Sequence, residues 1–151
     1  MRWAILDVEA IAVQRSHACT RKMFILDSDG KTSELWEFTP WIDIKEIANC
    51  YVKSFKHCQR HVHQLPYYPT KMSPSCCSAT KKIASFVRRN SIQVIFYKGG
   101  ILERNLCTQI NVPSFNIELL NVPKVNSHDP VVEVKAHYQY LMENYRHLFL
   151  L

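Results

Sequence analysis

No apolar run in this 151-residue chain approaches the ~18 residues of a bilayer span, which excludes a helical membrane segment. The N-terminus lacks the basic flank, apolar core and small-residue cleavage site of a secretory signal. The expectation is an intracellular protein, of cytoplasm or nucleus and not secreted. None of the six cysteines stands in a C-x-x-C pair. In a reducing compartment they are expected to stay thiols. The nearest thing to a zinc cluster is Cys50, His57, Cys58, His61 and His63. Cys58 and His61 give one ligand pair, and a structural site needs a second, from Cys76 or Cys77 folding back. Buried thiols and surface histidines account for the same residues.

What is present describes a globular chain. At 47% hydrophobic and 21% charged, it has the composition of a single folded domain over residues 1–151 with its own core. The formal net charge of +6 is compatible with a polyanionic partner such as nucleic acid.

The pattern along the chain reads β, β, β, α, α, β, α, β, α. Strands are expected at 4–13, 17–26 and 32–38, with Asp27-Ser28-Asp29-Gly30-Lys31 as a turn between the last two. Ile44, Ile47, Tyr51 and Phe55 recur at helical spacing and predict a helix over 41–56. Residues 57–75, with Pro66, Pro69 and Pro74, read as a loop. It carries His57, Arg60, His61 and His63 beside Tyr67 and Tyr68, and basic residues among aromatics suit single-stranded nucleic acid; a solvated surface loop has the same composition. Ala79, Ile83, Phe86 and Val87 mark a second helix. A strand over 91–97 ends at Lys98-Gly99-Gly100, and a helix starts near Ile101. A fifth strand is expected over 114–120. Ser127-His128-Asp129-Pro130 then opens a C-terminal helix whose buried stripe is Val131, Val134, Tyr138, Leu141, Met142 and Tyr145. The first three strands suggest an antiparallel meander, and the later strand–helix–strand units imply parallel pairing. The fold class is therefore α/β: a mixed five-stranded sheet flanked by helices, with the first strand central and next to 91–97.

The first strand carries the chemistry. In Ala4-Ile5-Leu6-Asp7-Val8-Glu9-Ala10, Asp7 and Glu9 are two apart and project from one face of an apolar strand. Like charges held that close repel unless a cation lies between them, and hard divalent cations take carboxylate oxygens. An edge strand with both residues in solvent is the bland alternative. In open α/β sheets, sites form at the carboxyl ends of strands where the order reverses. Asp7, Glu9 and the Lys98-Gly99-Gly100 turn would all lie there.

These motifs, in this order, resemble RNase H-like domains of the DEDDh 3′–5′ exonuclease type. That family opens with Asp-x-Glu on its first strand, matched by Asp7-Val8-Glu9. Its second motif sits after the fourth strand, where Lys98-Gly99-Gly100-Ile101-Leu102-Glu103 and then Leu106 have the spacing. Its third is a His followed five positions on by Asp, matched in spacing by His128 and Glu133. Glu103 and Glu133 stand where the family has Asp, and Lys98 where it has His. A looser similarity, through Phe96-Tyr97-Lys98-Gly99, is to small RNase H-like proteins of invertebrate genomes, their viruses and mobile elements. The resemblance implies an RNase H-like sheet and metal-dependent hydrolysis of single-stranded RNA or DNA. It implies two Mg²⁺ or Mn²⁺ ions about 4 Å apart, held by Asp7, Glu9, Glu103 and Glu133. His128 would take the proton of the attacking water. Lys98, Arg60 and Tyr67 would hold the nucleic acid. The two longer carboxylates and Lys98 equally suit an inactive module of this fold that binds nucleic acid or a protein. A third reading is an interaction protein using Trp36, Trp41 and Phe149-Leu150-Leu151.

Overall fold

The computed structural model describes residues 1–14 and 17–147, and the backbone of 148 and 149. Its strands are β1 (Trp3–Gln14), β2 (His17–Asp27), β3 (Ser33–Glu37), β4 (Val94–Tyr97) and β5 (Ser114–Asn116). Its helices are α1 (Asn49–His61), α2 (Ala79–Asn90), α3 (Ile101–Gln109) and α4 (Pro130–Phe149). The sheet order is β3-β2-β1-β4-β5, so β1 is central. It pairs antiparallel with β2 and parallel with β4, and β4 pairs parallel with β5.

Alternation along β1 serves two cores. Ala4, Leu6 and Val8 join Met23, Ile25 and Ile95 on one face, under Phe55 of α1, Ile83 and Phe86 of α2 and Cys107 of α3. Trp3 and Ile5 join Phe24, Leu26 and Phe96 on the other, under Val134 and Leu141 of α4. A strand covered on both faces reads as a nearly continuous apolar run, which is why the carboxylates stand out. The ladder with β2 shifts between Glu9 and Ala10, leaving Arg21 without a partner across it. After the shift Ile11 and Val13 take the face that Leu6 and Val8 held before it. The irregularity thus ends the alternation directly after Glu9, as β-bulges beside functional sites do.

The Asp27–Lys31 turn forms as expected. Asp29 Oδ1 accepts from the N–H groups of Lys31 and Thr32, both at 2.8 Å. Gly30 takes φ +73°, and a Cβ there would lie 2.7 Å from the Tyr138 hydroxyl. That hydroxyl donates to Ser28 O at 3.1 Å, docking the turn on α4.

Three expectations need correction. The helix over 41–56 does not form: a 3-10 turn at Ile44–Glu46, capped by Asp43, is followed by extended backbone at Ile47 and Ala48. Ile44, Ile47, Tyr51 and Phe55 still share one core, so their spacing records a common buried side and not one continuous helix. The helix runs instead through His57, Arg60 and His61, which sequence reading gave to a loop. The fifth strand stops at Asn116, whose Oδ1 accepts from Gly99 N and Glu118 N (3.1 and 3.0 Å) and turns Ile117–Leu120 into a 3-10 turn. There Ile117 is buried while Leu119 is 74% exposed.

The packing makes a direct prediction. Phe86 is fully buried beneath the sheet, so Phe86→Ala should lower stability by about 3–5 kcal/mol, measured by urea unfolding. A loss below about 1 kcal/mol would mean that the α2 face is not packed as described.

Candidate functional site

β4 pairs with β1 only as far as Ile5, opposite Phe96. Beyond that point the two strands no longer pair, and the carboxyl end of β1 lies where the sheet changes from antiparallel to parallel, the place where sites form in open α/β sheets. The N–H of Val8 finds its partner in a side chain: it donates to Glu103 Oε1 at 3.1 Å. Glu103 reaches there from the first turn of α3 and is itself only 4% exposed.

On the α4 side, Asp7 and Glu9 meet Glu133. Each of the three offers a carboxylate oxygen, and these lie within 4.8 Å of one another. Glu133 is brought there by the α4 N-terminus, where Asp129 Oδ1 accepts from Val131 N at 2.9 Å and starts the helix. Among the described residues no other group of Asp, Glu, His or Cys gathers in this way, so the Cys50–Cys77 stretch forms no zinc cluster. One oxygen of Asp7, Oδ2, is buried and has no hydrogen-bond partner. A buried carboxylate oxygen without a donor is costly.

The electrostatics follow from crowding. Burial pushes the Asp7 carboxyl up to about 10, helped by a hydrogen bond with Glu133 and by the charges of Glu133, Glu103 and Glu9. Burial first, and then the charges of Glu133, Glu103 and Asp129, push Glu9 up to about 7, against the pull of Lys22. Burial also lifts Glu103 to about 7, although the Val8 N–H holds it back. The site is therefore a concentration of carboxyl groups; among the described residues Lys22 is the cation that bears on it, facing Glu9 across the ladder and lying 3.7 Å from Asp129.

A divalent cation fits these residues: three carboxylates with converging oxygens, one of which, Asp7, also carries an oxygen without a partner, and among the described residues no cation at their centre. Glu103 lies beside this group and not in it, since one of its oxygens serves Val8. His128 is exposed at the approach to α4, near enough to His63 for their charges to interact. Lys98 turns elsewhere, donating to Pro123 O at 3.3 Å, so it does not take a cation's place among the carboxylates. Arg60 is exposed on α1. Tyr67 departs from expectation: it is 4% exposed, with its hydroxyl donating to Ile42 O at 2.7 Å, and offers no ring face for stacking. Of the apolar surface read from sequence, Trp41 is 47% exposed and Trp36 half-buried, while the side chains of Phe149, Leu150 and Leu151 lie outside the described residues.

One residue escaped sequence reading. His137 is 3% exposed and its Nε2 has no hydrogen-bond partner. Burial, together with the charge of Lys98, depresses it to about 4. Its position one turn after Glu133, on the same helix face, was the available signal.

Raised carboxylates bind protons more tightly in the folded state, so their contribution to stability falls as pH rises from the unfolded value through the folded one. For Asp7 that window runs from 3.8 to about 10. Asp7→Asn should therefore gain in thermal midpoint over the parent as pH goes from 5 to 8, with EDTA present. Calorimetry at the two pH values checks it, and an advantage that shrinks with pH would contradict this electrostatic account.

No family model and no curated protein matches this chain. Among solved structures, E. coli ExoI, in the zinc-ion-bound form of its complex with single-stranded DNA, aligns with 98% of this chain at 11% identity and a TM-score of 0.64. This chain spans 42% of that protein's length. A family B DNA polymerase from Pyrobaculum calidifontis aligns with 81% of this chain and 11% of its own, at 12% identity and a TM-score of 0.40. The ExoI likeness, with the strand order above, establishes the fold as an RNase H-like mixed sheet flanked by helices.

Proposed function

We propose that this chain is a metal-dependent 3′–5′ exonuclease of the DEDDh type, acting on single-stranded RNA or DNA. The observation that carries the reading is the buried, unpartnered Oδ2 of Asp7 amid three carboxylates whose oxygens lie within 4.8 Å. The ExoI structure of like fold holds zinc and single-stranded DNA, which supports it.

Asp7, Glu9 and Glu133 would hold Mg²⁺ or Mn²⁺, with Glu103 alongside. Bound divalent ions supply a Lewis acid and an activated water for phosphodiester hydrolysis. The remaining tasks fall to the chain. Asp7 and Glu9 present their oxygens from a strand packed on both faces, so the donors are fixed before ligand arrives. Glu103 holds the Val8 N–H and with it the strand between the two donors. Glu133 comes from the rigid first turn of α4. His128, exposed beside that turn, is the side chain placed to accept the water's proton. Lys98 retains donors beyond its bond to Pro123 and can meet a phosphate oxygen.

A second reading is a nucleic-acid-binding module of this fold without hydrolysis. It is favoured by Glu103, whose Oε1 is already engaged by backbone.

Incubating the protein with end-labelled single-stranded RNA and DNA in Mn²⁺ separates the two. Stepwise shortening is expected, and Asp7→Asn, Glu9→Gln or Glu133→Gln should each slow it at least ~100-fold, beyond the usual loss for residues behind the ligands. Glu103→Gln keeps an oxygen for Val8 and should cost less. No shortening by a folded parent protein would leave the binding module.

A further inference from the structure

From residue 47 to residue 102 the chain holds nine lysines and arginines and no aspartate or glutamate. Elsewhere ten lysines and arginines stand against thirteen carboxylates. The positive charge of this protein therefore belongs to one stretch, and the fold gathers part of it on one helix face. Lys53, Lys56, His57, Arg60 and His61 recur at i, i+3, i+4, i+7 and i+8 of α1, a single stripe. They line a cleft of about 260 Å³. The opposite stripe, Tyr51, Val52 and Phe55, packs into the core.

These charges are uncompensated. Arg2, Arg21, Lys22 and Arg89 each have a carboxylate partner, whereas among the described residues Lys53, Lys56 and Arg60 have none. Lys56 and Arg60 stand at i, i+4, where like charges oppose helix formation. The His57 and His61 rings lie 4.8 Å apart. Crowded cations on an exposed helix are relieved by a polyanion. A membrane surface is disfavoured as that polyanion, since the apolar side of α1 is buried and cannot enter a bilayer. Beyond the stripe, His63, two residues past α1, lies within electrostatic range of His128 at the approach to α4.

We propose that this face of α1 is a docking site for the phosphate backbone of a single-stranded nucleic acid, separate from the carboxylate cluster. It deepens the nuclease reading and rests on it for the identity of the polyanion. In this arrangement the cluster meets the strand's end while α1 grips phosphates further along, so affinity comes from one place and chemistry from another.

The test is fluorescence anisotropy with a fluorescein-labelled 24-nucleotide single strand in EDTA, titrating NaCl. The triple variant Lys53→Gln, Lys56→Gln, Arg60→Gln should bind at least tenfold more weakly at 50 mM salt. Its salt slope should be shallower by about 2, since each lost phosphate contact on a single strand removes about 0.7. The pair Lys81→Gln, Lys82→Gln on α2 should change affinity less than about twofold. Equal losses in both variants, or none in the triple variant with its circular dichroism unchanged, would overturn the dock. Competition by polyglutamate as strong as by unlabelled oligonucleotide would overturn the nucleic-acid assignment. Because no hydrolysis is read and metal is absent, an inactive cluster would leave this result untouched.

Discussion

The constraint on which the rest of this structure depends is the crowding of carboxylates at the carboxyl end of β1. Asp7 is buried against Glu133, Glu103 and Glu9, and one of its oxygens has no donor. In water such a group would ionise below pH 4; here desolvation and like charge act in the same direction to keep it protonated. A fold that served only stability would place an apolar residue at this point, as Leu6 and Val8 do on the opposite face of the same strand. The elements around Asp7 hold it in place: β2 pairs with β1 through Asp7 and Glu9, α3 sends Glu103 to the Val8 N–H, and α4 is docked by Tyr138 on the Asp27–Lys31 turn. Each of these contacts removes a way in which the carboxylates could move apart.

The molecule also separates its charges. The carboxylates of β1 meet Glu133 on the α4 face of the sheet, with Glu103 of α3 beside them, while the acid-free stretch from 47 to 102 supplies α1 and α2 on the opposite face. A net charge of +6 conceals this division. On the proposed reading, this division suits a ligand that is a polyanion along its length and reacts at one end. It would serve a small neutral substrate poorly, because neither patch offers it an apolar enclosure.

How much of this was legible in the sequence depended on whether the signal was local. That Asp7 and Glu9 project from one face of β1 could be read directly, because side chains alternate along a strand. The strand order and the central place of β1 followed from the element pattern, and the turn at Gly30 from its own residues. The 41–56 helix misled because Ile44 and Ile47 contact the core from a 3-10 turn and an extended segment. Residues 117–120 misled because their capping partner, Asn116, also serves Gly99, a contact 17 residues away. Tyr67 has the local sequence of a surface aromatic, whereas Ile42, 25 residues distant, holds its hydroxyl indoors. His137 was invisible for the same reason: burial is set by what packs over a residue, and periodicity alone gave only its face.

The two glutamates that stand where the resembled family has aspartate show why a substitution has no fixed meaning. Both add one methylene, but they enter from different elements. Glu133 comes from α4 and delivers its oxygen into the cluster with Asp7 and Glu9. Glu103 comes from α3, and its added reach carries one oxygen past the cluster to the backbone of Val8. The first exchange lengthens a donor. The second leaves Glu103 as a tether for the strand that carries Asp7 and Glu9. A site in which one of four carboxylates has become structural would hold cations with fewer oxygens, and hence less tightly, than one in which all four point inward. On the proposed reading the load of holding a cation therefore falls on Asp7, Glu9 and Glu133, and the unpartnered oxygen of Asp7 is the feature that favours their doing so.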